Sequence, residues 1–333
     1  MITRRSFVRG GLAVSGLAAS SVLPAILTSC AKKIPAAPLR IGLVEWPGYA
    51  PFHLAQDLGY YGNATSNTPI ELVSFVDVAD ILRAYRQQQI DALCTALSDV
   101  MQLAETMPDQ RLVLMIDESA GADAILAKPS IKSLSDLKGK RIGSDLAILS
   151  SFILVAALKK ANLTFNDVEI VAVGISGQVQ AYKADRIDAV IAFDPVRSQL
   201  LRIGANVVFD SSQIPGEIVD IMAVSQTTLT QQTPTLQIVT QGFFKALDYL
   251  KQHPEDAIAR MCKRQNMTPE EFKKTLTLLP LSTYQTNQKM LDQVNSPLIS
   301  VTQDLNQIMM DAKLIQKPID IRPLLTKAAL LST

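Results

Sequence analysis

One Trp, two His and three Cys in 333 residues set narrow limits on the chemistry this chain can do. His53 falls in a helical pattern and His253 stands ahead of Pro254, so a Ser-His-Asp triad or a His-rich metal site has little to draw on. Three cysteines build neither a disulfide framework nor a Cys-rich zinc site. No Walker loop and no Gly-x-Gly-x-x-Gly occurs. The sequence therefore assigns no catalytic residue, metal or cofactor. What it does offer is a set of short polar and aromatic stretches: Glu45-Trp46-Pro47-Gly48-Tyr49, Thr95-Ala96-Leu97-Ser98, Ser144-Asp145 running on to Ser150, and Phe193-Asp194-Pro195. Theirs is the chemistry of holding a molecule. An indole gives a flat apolar face, carboxylates meet N–H donors or cations, and a helix opening near Ser150 turns N–H groups toward an anion. Each has a plainer alternative: Trp46 as a core plug, Glu45 in solvent, Ser150 and Asp194 as helix caps.

Each of these stretches follows a strand-like apolar run. Strands are predicted over 39–44, 70–75, 90–95 and 111–116, with helices over 51–58, 78–88 and 98–106 between them. A second set follows, with strands over 140–143, 168–173, 187–193 and 206–209 and helices over 150–161, 176–184 and 195–203. Such alternation marks an α/β fold, where ligands bind beyond the carboxyl ends of the strands. An internal echo links the two sets. Leu39-Arg40-Ile41-Gly42 returns as Lys140-Arg141-Ile142-Gly143, and Ile90-Asp91-Ala92 returns as Ile187-Asp188-Ala189. Two lobes on one plan are expected, with Asp91 and Asp188 as turn residues at the edge away from any ligand. After an apolar run at 218–224 the chain reads as helices over 235–252, 254–265, 269–278 and 288–312, whose default role is packing.

The first residues read as an address. Arg4-Arg5-Ser6-Phe7-Val8-Arg9 precedes a weakly apolar stretch, and Leu27-Thr28-Ser29-Cys30 ends it in the pattern of a bacterial lipobox. Expected are a twin-arginine-like lipoprotein signal peptide over 1–29, acylation of Cys30, and a lipidated linker over 30–38. Acyl chains on Cys30 would hold the body on a bacterial membrane, outside the cytoplasm. Three of the 32 basic residues would leave with the signal, giving 29 basic against 31 acidic. That balance excludes the strongly basic face a nucleic-acid partner requires. Cys94 and Cys262 are expected as buried, unpaired thiols.

Taken together, the residues resemble the extracytoplasmic substrate-binding proteins of ABC importers in the nitrate, sulfonate, taurine and thiamine-precursor group. The stretches that carry the resemblance are Trp46-Pro47-Gly48-Tyr49, Leu54-Ala55, Gly59-Tyr60-Tyr61, Ile90-Asp91-Ala92, Gly121-Ala122-Asp123-Ala124-Ile125, Leu134 to Gly139, and Ile187-Asp188-Ala189. The resemblance implies a two-lobed type II periplasmic-binding-protein fold with a helical C-terminal region. Lobe I would comprise 39–125 and 215–333 and lobe II 126–214, with crossings near 122–128 and 214–224. It also implies a monomer that closes on a small molecule and delivers it to an ABC permease and its ATPase. Trp46, Tyr49, Thr95, Asp123, Ser144, Ser150 and Asp194 carry over as ligand positions, with Glu217 a weaker choice beside the second crossing. Members that hold oxyanions use Arg, Lys or converging N–H groups, whereas these loops bring Glu45, Asp123, Asp145, Asp194 and Glu217. The expected ligand is thus a small amine, zwitterion or nitrogen heterocycle such as a thiamine precursor, against Trp46. Two alternatives stand beside it: an oxyanion ligand, or a ligand-sensing role for a membrane kinase or cyclase.

Overall fold

The computed structural model describes residues 37–62 and 68–331. The expected signal peptide, Cys30 and most of the linker lie outside the described residues. In chain order come β1 (Leu39–Val44), α1 (Ala50–Asp57), β2 (Ile70–Phe75), α2 (Val78–Arg86), β3 (Ala92–Ala96), α3 (Leu97–Thr106) and β4 (Gln110–Glu118). The chain then passes to β5 (Ala124–Ala127), β6 (Arg141–Ser144), α4 (Ile148–Lys160), β7 (Glu169–Ala172), α5 (Gln178–Lys183), β8 (Ala189–Ala192), α6 (Val196–Arg202) and β9 (Asn206–Asp210). It returns through β10 (Val219–Ser225) and ends in α7 (Gln226–Gln252), α8 (Pro254–Arg264), α9 (Pro269–Leu276), α10 (Tyr284–Met290) and α11 (Leu298–Asp311).

Two five-stranded sheets result, ordered β2-β1-β3-β10-β4 and β7-β6-β8-β5-β9. In the first, β1 runs parallel to β2 and β3, while β10 lies antiparallel between β3 and β4. The second copies this: β6 runs parallel to β7 and β8, and β5 lies antiparallel between β8 and β9. In each sheet the antiparallel strand is the one the chain enters on crossing from the other lobe. The crossings are residues 119–123 and 211–218.

The internal echo has a structural counterpart. Arg40 forks onto Asp91 with Nε to Oδ2 at 2.9 Å and Nη2 to Oδ1 at 2.9 Å. Arg141 does the same to Asp188 at 3.0 and 2.8 Å. Each aspartate also accepts the arginine's backbone N–H, tying β1 to the residue before β3 and β6 to the residue before β8. Asp91 and Asp188 are thus paired ions rather than plain turn residues.

Three elements depart from the sequence reading. Residues 122–128 were expected only as a crossing, yet Ala124–Ala127 is a fully buried strand. Its small apolar residues suit a position flanked on both sides by strands. The single helix expected over 288–312 is two. Asp292 Oδ1 accepts the N–H groups of Val294 and Asn295, which closes a turn, and Pro297 bars the chain from continuing the earlier helix. Conversely α7 starts nine residues early, capped by Ser225, whose Oγ accepts the Thr228 N–H at 3.0 Å. Pro234 lies inside it and shows as a kink, with Gln232 at φ −122°.

Helices α7, α8 and α9 bury Ala246, Ile258, Met261 and Phe272 against Leu54 and Ala55 of α1. Cys94 and Cys262 are free thiols buried in separate apolar clusters. Among the described residues no helix is long and apolar enough to cross a membrane.

Candidate ligand-binding cleft

The carboxyl ends of β1, β3, β6 and β8 converge on one narrow cavity between the two sheets. Its walls include Trp46, Tyr49, Thr95, Asp99 and, on β10, Asp220 from the first lobe, Asp145, Ser150 and Phe193 from the second, and Asp123 at the first crossing. Trp46 follows β1 and is 4% exposed. Its indole N–H donates to Asp117 Oδ2 at 3.2 Å, and its ring meets Phe193 edge to face with centroids 5.6 Å apart. That ring contact spans the lobes.

The cavity is acidic. Asp99, Asp123, Asp145 and Asp220 line it, and among the described residues no Lys or Arg does. Burial raises the pKa of all four carboxyls above the ordinary range and makes them weaker acids, because a charged group loses its water there. Asp99 is pushed up to about 7 by burial, with Asp145 adding repulsion; the hydroxyl of Thr95, which donates to Oδ2 at 2.7 Å, pulls the other way. Asp123 is pushed up to about 6 by burial and by the charge of Asp194, against the Ser119 hydroxyl and Arg197. Asp220 stands directly opposite Asp117 on neighbouring strands, and burial drives both well upward, with Asp117 and Asp123 repelling Asp220, and Asp123 and Glu118 repelling Asp117 against the pull of the Trp46 N–H. Asp99 Oδ1 and Asp117 Oδ1 are buried without a hydrogen-bond partner. Such oxygens are costly unless a donor arrives.

Of the residues expected from sequence, Trp46, Tyr49, Thr95, Asp123, Asp145 and Ser150 come together around this cavity. Four others do not line it. Glu45 is exposed, because the alternation of β1 that turns Val44 and then Trp46 inward sends the residue between them out. Ser144 is buried, but its Oγ accepts the Leu146 N–H at 3.1 Å and is spent on the turn. Asp194 is fully buried as a cap, accepting the Ser198 N–H at 2.8 Å and the Thr275 hydroxyl. Glu217 is half-buried beside Asp304, Lys159 and Lys160, at the far end of α4. A helix of that length puts it about 20 Å from the cavity.

Asp99, Asp117 and Asp220 were not singled out from sequence. Asp99 reads there as an ordinary first-turn acid of a helix, and the other two interrupt apolar strands. Their only signal was a carboxylate inside a buried run. Neither His lines the cavity. His53 is held down to about 4 by burial and by Arg264. Among the described residues no group of three or more His, Cys, Asp or Glu is arranged to hold a metal ion.

The model of the NMT1/THI5-like family matches residues 46–257. A Haemophilus influenzae protein assigned to thiamine biosynthesis is 25% identical over 228 residues, covering 65% of this chain and 70% of its own length. Among solved structures, the alkanesulfonate-binding protein SsuA of Xanthomonas axonopodis pv. citri, bound to MOPS, aligns with a TM-score of 0.73 at 20% identity. The match covers 87% of this chain and 98% of that one. The periplasmic aliphatic sulphonate binding protein SsuA of Escherichia coli aligns at 0.70 and 21% identity, over 90% and 95%. The two-lobed architecture is that of the periplasmic binding proteins.

Proposed function

Because this chain belongs to the NMT1/THI5-like family, we propose that it is the substrate-binding component of an ABC importer that carries a small nitrogen-containing molecule. The ligand class is an amine, a zwitterion or a heterocycle such as a thiamine precursor. The two lobes close on it, as hinged domains do around a ligand that contacts both, and the closed protein presents it to a permease and its ATPase. A monomer held outside the cytoplasm by acylated Cys30 fits this role. The protein does no chemistry of its own.

One observation carries the ligand class. Three buried carboxyls, Asp99, Asp123 and Asp220, and the half-buried Asp145 surround the cavity beside the indole, and among the described residues no basic side chain lines it. A sulfonate or nitrate would bring a further negative charge to these groups, whereas an N–H-bearing or cationic guest supplies the donors they lack. The two SsuA proteins bind sulfonates and the Haemophilus influenzae relative is assigned to thiamine biosynthesis, so the choice of ligand rests on the walls of this cleft.

Trp46 is the chain's one indole and lines the cavity, so its emission reports on occupancy. Emission and small-angle scattering should be followed across amines, aminoheterocycles, sulfonates and nitrate. A nitrogen-bearing compound is expected to shift the emission and contract the particle. No response to any of them would end this reading.

A further inference from the structure

Among the acidic walls of the cleft, one carboxylate holds a special place. Helix α4 begins at Ile148 with Ala147 before it, and no side chain of its own N-cap residue closes that end. Its first N–H groups are thus open to an anion, the feature by which such a helix end receives a ligand's acidic group. In this chain that end already has two resident carboxylates. Asp145, from the preceding loop, accepts the Ala147 N–H through Oδ1 at 3.1 Å. Asp99 reaches it from the other lobe. It stands in the first turn of α3, and the N–H groups of Ile148 and Leu149 face its carboxylate and favour its charged form. The Thr95 hydroxyl, donating to Oδ2 at 2.7 Å, fixes the orientation of the group. The second oxygen, Oδ1, has no hydrogen-bond partner although the residue is 2% exposed and lines the cavity. Asp99 therefore stands near the helix end with one buried carboxylate oxygen left for a guest.

We infer that Asp99 sets the charge selectivity of the cleft: it supplies the α4 N-terminus with an anion from within the chain, so that the cavity receives a cationic head group on Oδ1 and refuses an anionic one. This deepens the proposed function and rests on it. The residue acts by occupying, from lobe I, the place on lobe II where an oxyanion would otherwise be held. Asp145 beside it adds to the repulsion felt by any arriving anion. The same contact joins the lobes, so the selectivity is in force in the closed form, where it counts for affinity.

The test uses two probes of matched shape and opposite charge, benzylamine and benzenesulfonate, titrated by calorimetry at pH 8 into the full chain and into Asp99→Asn and Asp99→Ser. Melting curves confirm that both variants fold. The wild type is expected to prefer benzylamine at least tenfold. Both variants should lose at least tenfold for benzylamine and gain for benzenesulfonate. A wild type that takes the sulfonate as well as the amine overturns the inference without any variant being needed, as do variants that keep the wild-type preference. A wild type silent to both probes, with variants that acquire the sulfonate, still supports Asp99 as the barrier. If the wild type binds another nitrogen compound while substitution at Asp99 leaves charge preference alone, this inference fails and the proposed function stands. If no form binds anything, both fail.

Discussion

The indole N–H of Trp46 donates to Asp117 Oδ2 at 3.2 Å because Gly48 leaves room for the two to meet. A Cβ at position 48 would overlap both Asp117 Oδ2 and Trp46 Nε1. The only indole of the chain is therefore pinned by a carboxylate on β4 while its ring meets Phe193 of the other lobe. Loop chemistry, the sheet and lobe closure meet at this pair.

Substitution of Gly48 by Ala should break the arrangement. Forcing a methyl into a packed site costs about 1–3 kcal/mol, and here it also removes a donor from a buried carboxylate. Urea denaturation is expected to show a lowered midpoint with unchanged slope, and Trp46 emission should shift even without ligand. An unaltered emission spectrum would mean that the indole is held by something other than Asp117.

Much of this arrangement was legible in the sequence, and the parts that were not share a cause. Strands such as Leu39–Val44 and Ile70–Phe75 stand out as apolar runs between turn residues, and the Arg40 and Arg141 echo marks both lobes before any fold is seen. Trp46, Thr95 and Ser150 could be placed because each lies at or just beyond the carboxyl end of a strand. Asp117 and Asp220 could not, since only the antiparallel entry of β10 beside β4 brings them face to face. That entry depends on the second crossing, which local pattern does not encode. The strand Ala124–Ala127 stayed hidden for a related reason: four small apolar residues carry no periodicity long enough to read.

The pH dependence of stability follows from the raised carboxyls. Asp99 at about 7 and Asp123 at about 6 bind protons more tightly folded than unfolded, where an aspartate titrates at about 3.9. Their contribution is full below the unfolded value and is lost as pH rises through 6 to 7, on the order of 4 kcal/mol at most for Asp99. Asp292, held down to about 2 by Lys327 and by the N–H groups of Asn295 and Val294, acts oppositely and loses its contribution only in strong acid. The ligand-free protein should therefore melt higher at pH 5 than at pH 8, and Asp99→Asn should flatten that slope. Melting points rising steadily from pH 5 to 8 would contradict the burial of these acids.

Closure has a latch at its rim. Asp77, just before α2, leaves its own helix uncapped and accepts the Ile175 N–H of the other lobe at 2.8 Å. On the opposite rim Arg202 meets Glu271 at 2.6 Å. A hydrogen bond of this kind is worth about 1 kcal/mol, or roughly fivefold in an equilibrium. Asp77→Ala is expected to speed ligand release about fivefold in stopped-flow measurements while leaving the melting point of the ligand-free chain nearly unchanged. Equal release rates would remove Asp77 from the closing mechanism.

The twin forks give a control far from the cleft. Asp91→Ala and Asp188→Ala each free an arginine that was tied to the start of a sheet by three hydrogen bonds. Both should lower the denaturation midpoint by similar amounts, and neither should change ligand affinity in calorimetry. A strong loss of affinity in either would show that these edges take part in binding.

Native mass spectrometry of the protein freshly purified from its own host, with the bound compound released by acid and identified, tests the central claim most directly. A small nitrogen-bearing molecule at one copy per chain, lost when Asp99 and Asp123 are replaced by Asn, is the result this account requires. A sulfonate, nitrate or other anion retained at that stoichiometry would contradict it.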